Sequence, residues 1–323
     1  MVMATQNTPS PKTPSWRKNA SRPRGYIPNY NPQAKTRVLL EKVQCVLDEY
    51  QEHWPLTVRQ IFYRLVGHHG EEKTEQFYKK LIEHLGRARR GRFIPFDAIR
   101  DDGVSTYAME RFADTDHFRA TVKSMASNYK RDLMSTQDVH VEVWCEAAGM
   151  LPQLSLVANR YSIQCYSSSG FDSLTTKKRL ADRICRTGKR AIILHLGDYD
   201  PSGKSIFNCA DEDVQAFVRA DRLNAMVDVE FKRIALTENQ VAEFGLPTSP
   251  AKVTDSRSKE WKGGTCQLEA LAPDQIAEIL ETEILDVLDL TRMYRDLMTE
   301  RDERTELTRL LLTSPAPSTN PKQ

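Results

Sequence analysis

The stretch RAIILHLGDYDPSGKS, from Arg190 to Ser205, joins an apolar run to a polar loop. The apolar run predicts a strand that is covered on both faces, as in a parallel sheet. The loop ends in GKS like a phosphate-binding loop, but five residues separate Gly197 from Gly203 where that motif has four. Two of the five are Asp198 and Asp200. Because carboxylates repel phosphate and attract hard cations, the loop predicts a cation site.

From residue 138 onward, candidate strands alternate with candidate helices. The strands are VHVEVWC (139–145), IQCYSS (163–168), RAIILHL (190–196) and VDVEFKRIAL (227–236), and the helices are 151–160, 173–187 and 202–219. Right-handed crossovers between such strands produce a parallel sheet with helices on its faces. The sequence therefore predicts an α/β fold for this part of the chain, with a domain over 136–312 that includes a C-terminal helical region from Pro273 to Leu312.

Three acidic residues follow the ends of two predicted strands. Glu146 comes directly after the first strand, and Asp198 and Asp200 follow the third. Ligands of parallel sheets bind beyond the carboxyl ends of the strands, where three carboxylates suit Mg²⁺ or Mn²⁺. The alternative is that Glu146 is a solvated capping acid and the aspartates only shape the turn before Pro201. Glu142 is a competing acid, but it lies in the middle of its strand.

Residues 35–126 predict a domain of short helices. Thr57 is expected to cap a helix, and its apolar residues recur at helical spacing: Val58, Ile61, Phe62 and Leu65. A second helix is expected to end at Gly91, and RFIPFDAI (92–99) has the character of an edge strand because it contains Pro95. This order predicts a winged helix, a DNA-binding fold, although other small helical folds share it.

Basic residues concentrate in two places although the formal net charge is only +2. Residues 1–34 carry no acidic side chain and predict a disordered basic arm. The second helix predicts a DNA-binding surface formed by Lys80, His84, Arg87, Arg89, Arg90 and Arg92. Either cluster alone would also suit a solubilising surface, but together they favour a polyanionic partner, here double-stranded DNA.

The remaining features bear on location. No apolar run approaches the ~20 residues of a membrane span, so no membrane association is expected. No secretory signal is visible, and the six cysteines are widely spaced, which suits the reducing cytoplasm. We expect a cytoplasmic, nucleoid-associated protein. Residues 313–323 predict a disordered tail.

Several motifs together resemble a known family. Glu146 followed by AAGM, and a strand that leads into DYDPSG, resemble the Toprim domain of topoisomerases, primases and related nucleases. With TVRQIFYRLV (57–66) ahead of it, the chain is similar to the A subunit of topoisomerase VI and the meiotic double-strand-break transesterase, and most similar to their short stand-alone bacterial or phage forms. Further similar stretches are SSGFDSLTTKKRL (168–180), ALTENQVAEFGLP (235–247) and CQLEAL (266–271).

The resemblance implies a type IIB topoisomerase A-like enzyme, in the isomerase class, with Tyr63 as the catalytic nucleophile and Arg59 beside it. It also implies metal bound by Glu146, Asp198 and Asp200. On a helical wheel Tyr63 points away from the apolar cluster and Arg59 lies one turn before it, so Arg59 is expected to hold phosphate and favour the phenolate. The competing interpretation of Tyr63 is a half-exposed structural tyrosine.

In this family the tyrosine and the metal come from different protomers, which implies a homodimer. A separate ATPase B-type subunit is a further expected partner, because the chain has no ATPase of its own. Cleavage is therefore expected from this chain, and strand passage is not expected from it alone. Two other functions stay open: a Toprim nuclease in which water replaces Tyr63, and a non-catalytic DNA-binding accessory protein of a mobile element.

Overall fold

The computed structural model describes residues 26–100, 109–167, 174–221, 227–251, 261 and 263–312. Most of the predicted basic arm and the whole predicted tail lie outside these residues. A first group of elements comprises α1 (Ala34–Glu49), β1 (Leu56–Thr57), α2 (Val58–His69), α3 (Glu75–Arg90), β2 (Ile99–Arg100) and α4 (Thr115–Ser127).

Helix α2 begins where the sequence predicts it. The hydroxyl of Thr57 accepts a hydrogen bond from the Gln60 N–H at 3.1 Å, and the Gln60 side chain accepts one from the Thr57 N–H at 2.9 Å. These two bonds satisfy N–H groups that have no partner inside the helix. Helix α3 ends at Arg90 and Gly91 caps it, also as predicted.

The edge strand predicted over 92–99 is wrong for most of its length. Phe96–Ala98 forms a 3₁₀ turn, and only Ile99–Arg100 is a strand, which pairs in parallel with Leu56–Thr57. Pro95 cannot donate to a strand ladder, and the Phe96 side chain that follows it is 49% exposed, so this segment has neither the bonds nor the burial of a longer strand.

The predicted α/β fold is confirmed. The strands β3 (Val139–Cys145), β4 (Gln164–Ser167), β5 (Arg190–Leu196) and β6 (Val229–Ala235) form a parallel sheet in the order β4-β3-β5-β6. The helices between these strands are α5 (Leu151–Ala158), α6 (Leu174–Thr187) and α7 (Pro201–Asp221). The chain continues through α8 (Glu238–Glu243), the antiparallel pair β7 (Ser249–Pro250) and β8 (Gly264–Thr265), α9 (Pro273–Val287) and α10 (Leu290–Leu312).

Both faces of the sheet are covered, which explains the continuous apolar character of β5. Val141 and Val143 belong to a core that includes residues of α5 and α9 and extends into the α1–α3 region. Trp144, which points to the other face, belongs to a second core with residues of α6 and α7. Alternate residues of β3 thus enter different cores, as the period of a strand requires.

The C-terminal helical region is confirmed, and its two helices differ in burial. Ile276 and Leu280 of α9 are buried, whereas Leu290, Tyr294 and Leu297 of α10 are exposed. Helix α10 packs against α4. Within the described residues, no helix combines the length and the apolar composition needed to cross a membrane.

Candidate active site

Two neighbouring strand ends hold the first carboxylates of the site. Cys145 of β3 lies opposite Leu196 of β5, and the Glu146 N–H donates to the Leu196 carbonyl at 2.9 Å. The side chain of Glu146 in turn accepts a hydrogen bond from the Asp198 N–H at 3.2 Å. The chain leaves β3 for β4 on one side, while β5 lies on the other side, so these residues flank the point where ligands bind in such sheets.

The two aspartates are fixed by backbone donors. The Leu268 N–H donates to Asp198 Oδ1 at 2.9 Å, and the Gly203 N–H donates to Asp200 Oδ1 at 2.7 Å. Gly203 is required at the start of α7, because a Cβ there would lie 2.8 Å from the Asp198 carbonyl oxygen. Each of the three carboxylates therefore uses one oxygen for a backbone N–H.

The electrostatics of this site penalise its negative charges. Burial raises the pKa of Glu146 and of Asp198, and the neighbouring carboxylates raise both further. The Arg233 guanidinium acts in the opposite direction, and it donates to the Asp198 carbonyl oxygen and, at 3.3 Å, to that of Leu236. Because the net shift is upward, the backbone donors and arginines do not fully compensate the acids.

The residues fit a hard divalent cation by the chemistry of their donors, but they do not form a ready metal cage. Among the residues that the structure describes, no group of three or more His, Cys, Asp or Glu side chains is arranged to hold a metal ion. Like charges that repel one another turn toward separate backbone donors, which explains this arrangement. A bound cation would relieve the same repulsion.

The side chain of Tyr63 on α2 is buried and hydrogen-bonded in the structure. It is only 5% exposed, and its hydroxyl donates to Gln267 Oε1 at 2.8 Å. The helical wheel predicts that Tyr63 points away from the apolar cluster, but in the structure Tyr63 belongs to the same buried core as Ile61 and Leu65, and its ring centre lies 5.3 Å from that of Phe62. Tyr63 is therefore a nearly buried residue, which contradicts the half-exposed alternative.

The expected activation of Tyr63 is wrong in its net direction. Burial raises the pKa of the phenol well above its ordinary value of 10.0, and Arg59 lowers it by a smaller amount. The Arg59 guanidinium lies 3.8 Å from Glu269 Oε2 and 5.7 Å from the centre of the Tyr78 ring. In this structure its ionic partner is thus a carboxylate of the protein.

One cavity joins the predicted tyrosine to the predicted metal ligands. It has a volume of about 430 Å³ and lies between α2, α3 and the sheet edge. Its lining includes Arg59, Tyr63, Lys73, Tyr78, Asp198 and Asp200. Glu146 is outside this lining. The structure thus brings the two groups of candidate residues together within a single chain.

Several residues of the site were not assigned from the sequence. Glu269 is 8% exposed, accepts a hydrogen bond from the Thr57 hydroxyl at 3.2 Å and faces Arg59. Burial raises its pKa. Gln267 and Glu269 belong to the stretch CQLEAL, in which an acid between apolar residues was the available signal.

Five of the six predicted DNA-binding residues lie on α3, and Arg92 lies in the turn after it. None of the six lines the Tyr63 cavity. Lys80, Arg87 and Arg92 are exposed, and the other three are partly exposed. The Arg89 and Arg92 guanidinium groups lie 4.7 and 4.4 Å from the ring centres of Phe96 and Tyr26. These residues form a cationic and aromatic surface at the end of α3.

Comparison with protein-family models, with curated proteins and with solved structures finds no match for this chain.

Proposed function

We propose that this protein cleaves DNA by transesterification, with Tyr63 as the nucleophile. The observation that carries the proposal is the shared cavity, in which the Tyr63 side chain, a guanidinium and two aspartates face the same space. A phenol, a phosphate-binding cation and a carboxylate pair are the groups that such a reaction requires.

In the proposed step, the phenolic oxygen attacks a backbone phosphorus of DNA. The bond from phosphorus to the leaving deoxyribose oxygen breaks, and a phosphotyrosine bond forms. The phenolic proton is lost to water, and the leaving oxygen takes up a proton. Arg59 and Lys73 line the cavity and would hold the phosphate oxygens.

Glu146, Asp198 and Asp200 are the residues we propose to hold Mg²⁺ or Mn²⁺. When bound, such an ion stabilises negative charge that develops on the phosphate and the leaving oxygen. The mutual repulsion of these carboxylates and their oxygen donors support this assignment.

At the level of fold, we propose a winged-helix domain around α1–α3 and a Toprim domain around β3–β6, in a topoisomerase VI A-like protein. The helix order, the capped α2 and the parallel sheet support this proposal. The two-residue parallel pair of β1 and β2 departs from the expected wing. The cationic surface at the end of α3 would bind the backbone of double-stranded DNA.

A homodimer follows from the proposed reaction, but for a different reason from the one that the resemblance implies. Tyr63 and the aspartates line one cavity of one chain, so a second protomer is not needed to complete the site. Breaking both strands of a duplex requires two sites, and two copies of the chain would supply them. We propose a dimer in which each chain cuts one strand.

The decisive experiment incubates the purified protein with supercoiled DNA and Mg²⁺ or Mn²⁺. Products are denatured and then separated with and without protease treatment. Transesterification predicts protein-linked DNA ends in the wild type and none in Tyr63→Phe. Tyr294→Phe is the matched control, because its ring is 64% exposed on α10. Protein-linked ends in Tyr63→Phe would show that another group is the nucleophile.

A water-dependent nuclease is the second candidate, and the raised pKa of Tyr63 favours it. In that case Tyr63→Phe cuts DNA and leaves protein-free ends. Tight binding without metal-dependent breaks in the wild type would instead indicate a non-catalytic accessory protein.

Mixing two inactive variants tests the arrangement within one chain. Tyr63→Phe and Asp198→Asn are combined, and protomers are allowed to exchange. If each chain completes its own site, the mixed dimers stay inactive. If the tyrosine of one chain acts on the metal of its partner, one site in each mixed dimer regains both groups and cuts a single strand.

A further inference from the structure

A second cavity lies on the other side of Asp200. It has a volume of about 460 Å³, and Asp200 lines both this cavity and the Tyr63 cavity. Its other walls come from the loop before α7, α7 itself, β6 with the residues that follow it, and the Trp261 side chain. We refer to it as the aromatic cavity.

Three aromatic side chains line the aromatic cavity: Tyr199, Phe207 and Trp261. The ring centres of Tyr199 and Trp261 are 4.8 Å apart, and the Trp261 indole N–H donates to the Gly264 carbonyl at 3.3 Å. On its other side Phe207 contacts the His195 ring at 5.1 Å between centres. The aromatic walls are therefore held in place by protein contacts, and flat apolar surfaces are available to a ligand.

Polar groups are placed between these walls. Lys204 and Asn208 lie on α7, Arg233 lies on β6, and all three line the cavity. Arg233 is fixed by two carbonyl oxygens, while its Nη1 is buried and has no hydrogen-bond acceptor among the described residues. A few fixed polar groups in an aromatic cavity give a ligand its orientation and its specificity.

We propose that the aromatic cavity receives one nucleobase, which lies out of its stack beside the phosphate that is cleaved. A base is flat and carries hydrogen-bonding atoms on its edge, which matches aromatic walls with amide and cationic groups between them. Since Asp200 separates the two cavities, a nucleotide with its base here would direct its phosphate toward the aspartates. The proposal that this base belongs to a DNA strand rests on the proposed function. The fit of a base to the cavity rests only on the residues that line it.

The base site is tested first without DNA or metal. Each of the four deoxynucleosides is titrated into the full-length protein in the presence of EDTA, and tryptophan fluorescence is recorded. Saturable quenching that is lost in Trp261→Phe is expected for at least one base. No saturable change with any deoxynucleoside overturns the proposal.

Phe207→Leu tests the stacking surface while it keeps an apolar side chain against His195. Base stacking on an aromatic ring accounts for roughly a tenfold change in affinity or more, so we expect the dissociation constant to increase at least about tenfold. Tyr294→Leu removes an exposed ring on α10 and should leave the affinity unchanged. Equal weakening in both variants, or in neither, contradicts the assignment.

A second arm distinguishes a base in DNA from a free nucleotide. Duplexes that carry 2-aminopurine at single positions are bound to the protein, and the fluorescence of the unstacked base is measured. An increase at one position that Phe207→Leu abolishes supports a base from the strand. Deoxynucleoside binding without any such increase assigns the cavity to a free nucleotide and overturns the strand proposal. Neither readout requires cleavage, so failure of the Tyr63 mechanism is detected separately in the cleavage assay.

Discussion

Two glutamates that lie four residues apart, one inside β3 and one directly after its end, have opposite environments. Glu142 lies within β3 and is 1% exposed, yet its two oxygens accept hydrogen bonds from Nε and Nη2 of Arg183 at 2.7 and 2.9 Å. The Trp144 indole N–H donates to it at 2.9 Å, and His140 lies at the same distance. Glu146 has no ion pair with any described cation and faces Asp198 instead.

The pKa values of these two glutamates diverge accordingly. Burial raises the pKa of Glu142, but the hydrogen bonds from Arg183 and His140 outweigh it and the net shift is downward. The pKa of Glu146 is shifted upward by burial and by neighbouring acids. A compensated carboxylate stabilises the fold, whereas adjacent uncompensated carboxylates lower stability and are free to bind a cation.

The largest expected effect is the loss of cleavage when the aspartates beside Glu146 are replaced. Replacing Asp198 and Asp200 together by asparagine should reduce metal-dependent cleavage by at least about a thousandfold, since a bound ion contributes several kcal/mol to such reactions. Folding should survive because the shapes are retained. Rates are measured by gel assay on supercoiled DNA. Cleavage at the wild-type rate would mean that these carboxylates are not the metal ligands.

The second effect is structural. Glu142→Gln leaves the partly buried Arg183 without its ionic partner and should lower the free energy of unfolding by about 3 kcal/mol. Urea denaturation measures the change. The matched control is Glu230→Gln, which breaks an exposed pair with Arg190 in the same sheet and should cost less than about 1 kcal/mol. Equal losses in both variants would show that burial of the pair does not matter.

The third effect is the pH dependence of that structural difference. A carboxylate with a lowered pKa in the folded state contributes stability above its unfolded value, here 4.5, and loses it as the pH falls through the folded value. The stability gap between wild type and Glu142→Gln should therefore shrink as the pH falls below 4.5. A gap that widens below pH 4.5 contradicts this assignment.

The comparison also explains why parts of the molecule could be predicted from sequence. The bounds of β3 and β5 agree with the structure residue by residue. For β5 the signal is the continuous apolar run Ala191–Leu194, which burial on both faces of a sheet requires. Because the two strands pair in parallel, the acids that follow their ends lie at the same edge of the sheet. The capped start of α2 is equally local, since Thr57 and Gln60 satisfy each other.

Other parts depend on contacts that no local pattern contains. The wheel of α2 describes one apolar face, but Gln267 and Glu269, more than 200 residues away, cover Tyr63 and Thr57. The burial of Tyr63 raises the pKa of its phenol, which is opposite to the expected direction. The strand predicted around Pro95 failed because β-propensity depends on a partner strand, and only two residues find one.

The smallest expected effect concerns Glu146 alone, and it tests the comparison most directly. Glu146→Gln removes one of three mutually repelling charges and retains the shape, so without divalent cations it should raise the free energy of unfolding at pH 7 by about 0.5 kcal/mol. The sign is opposite to that of Glu142→Gln. Mg²⁺ should then raise the melting temperature of the wild type more than that of Glu146→Gln, since binding to the folded state stabilises it. NaCl at matched ionic strength is the control for screening. A loss of stability in Glu146→Gln, with an unchanged response to Mg²⁺, would mean that Glu146 is a structural acid like Glu142.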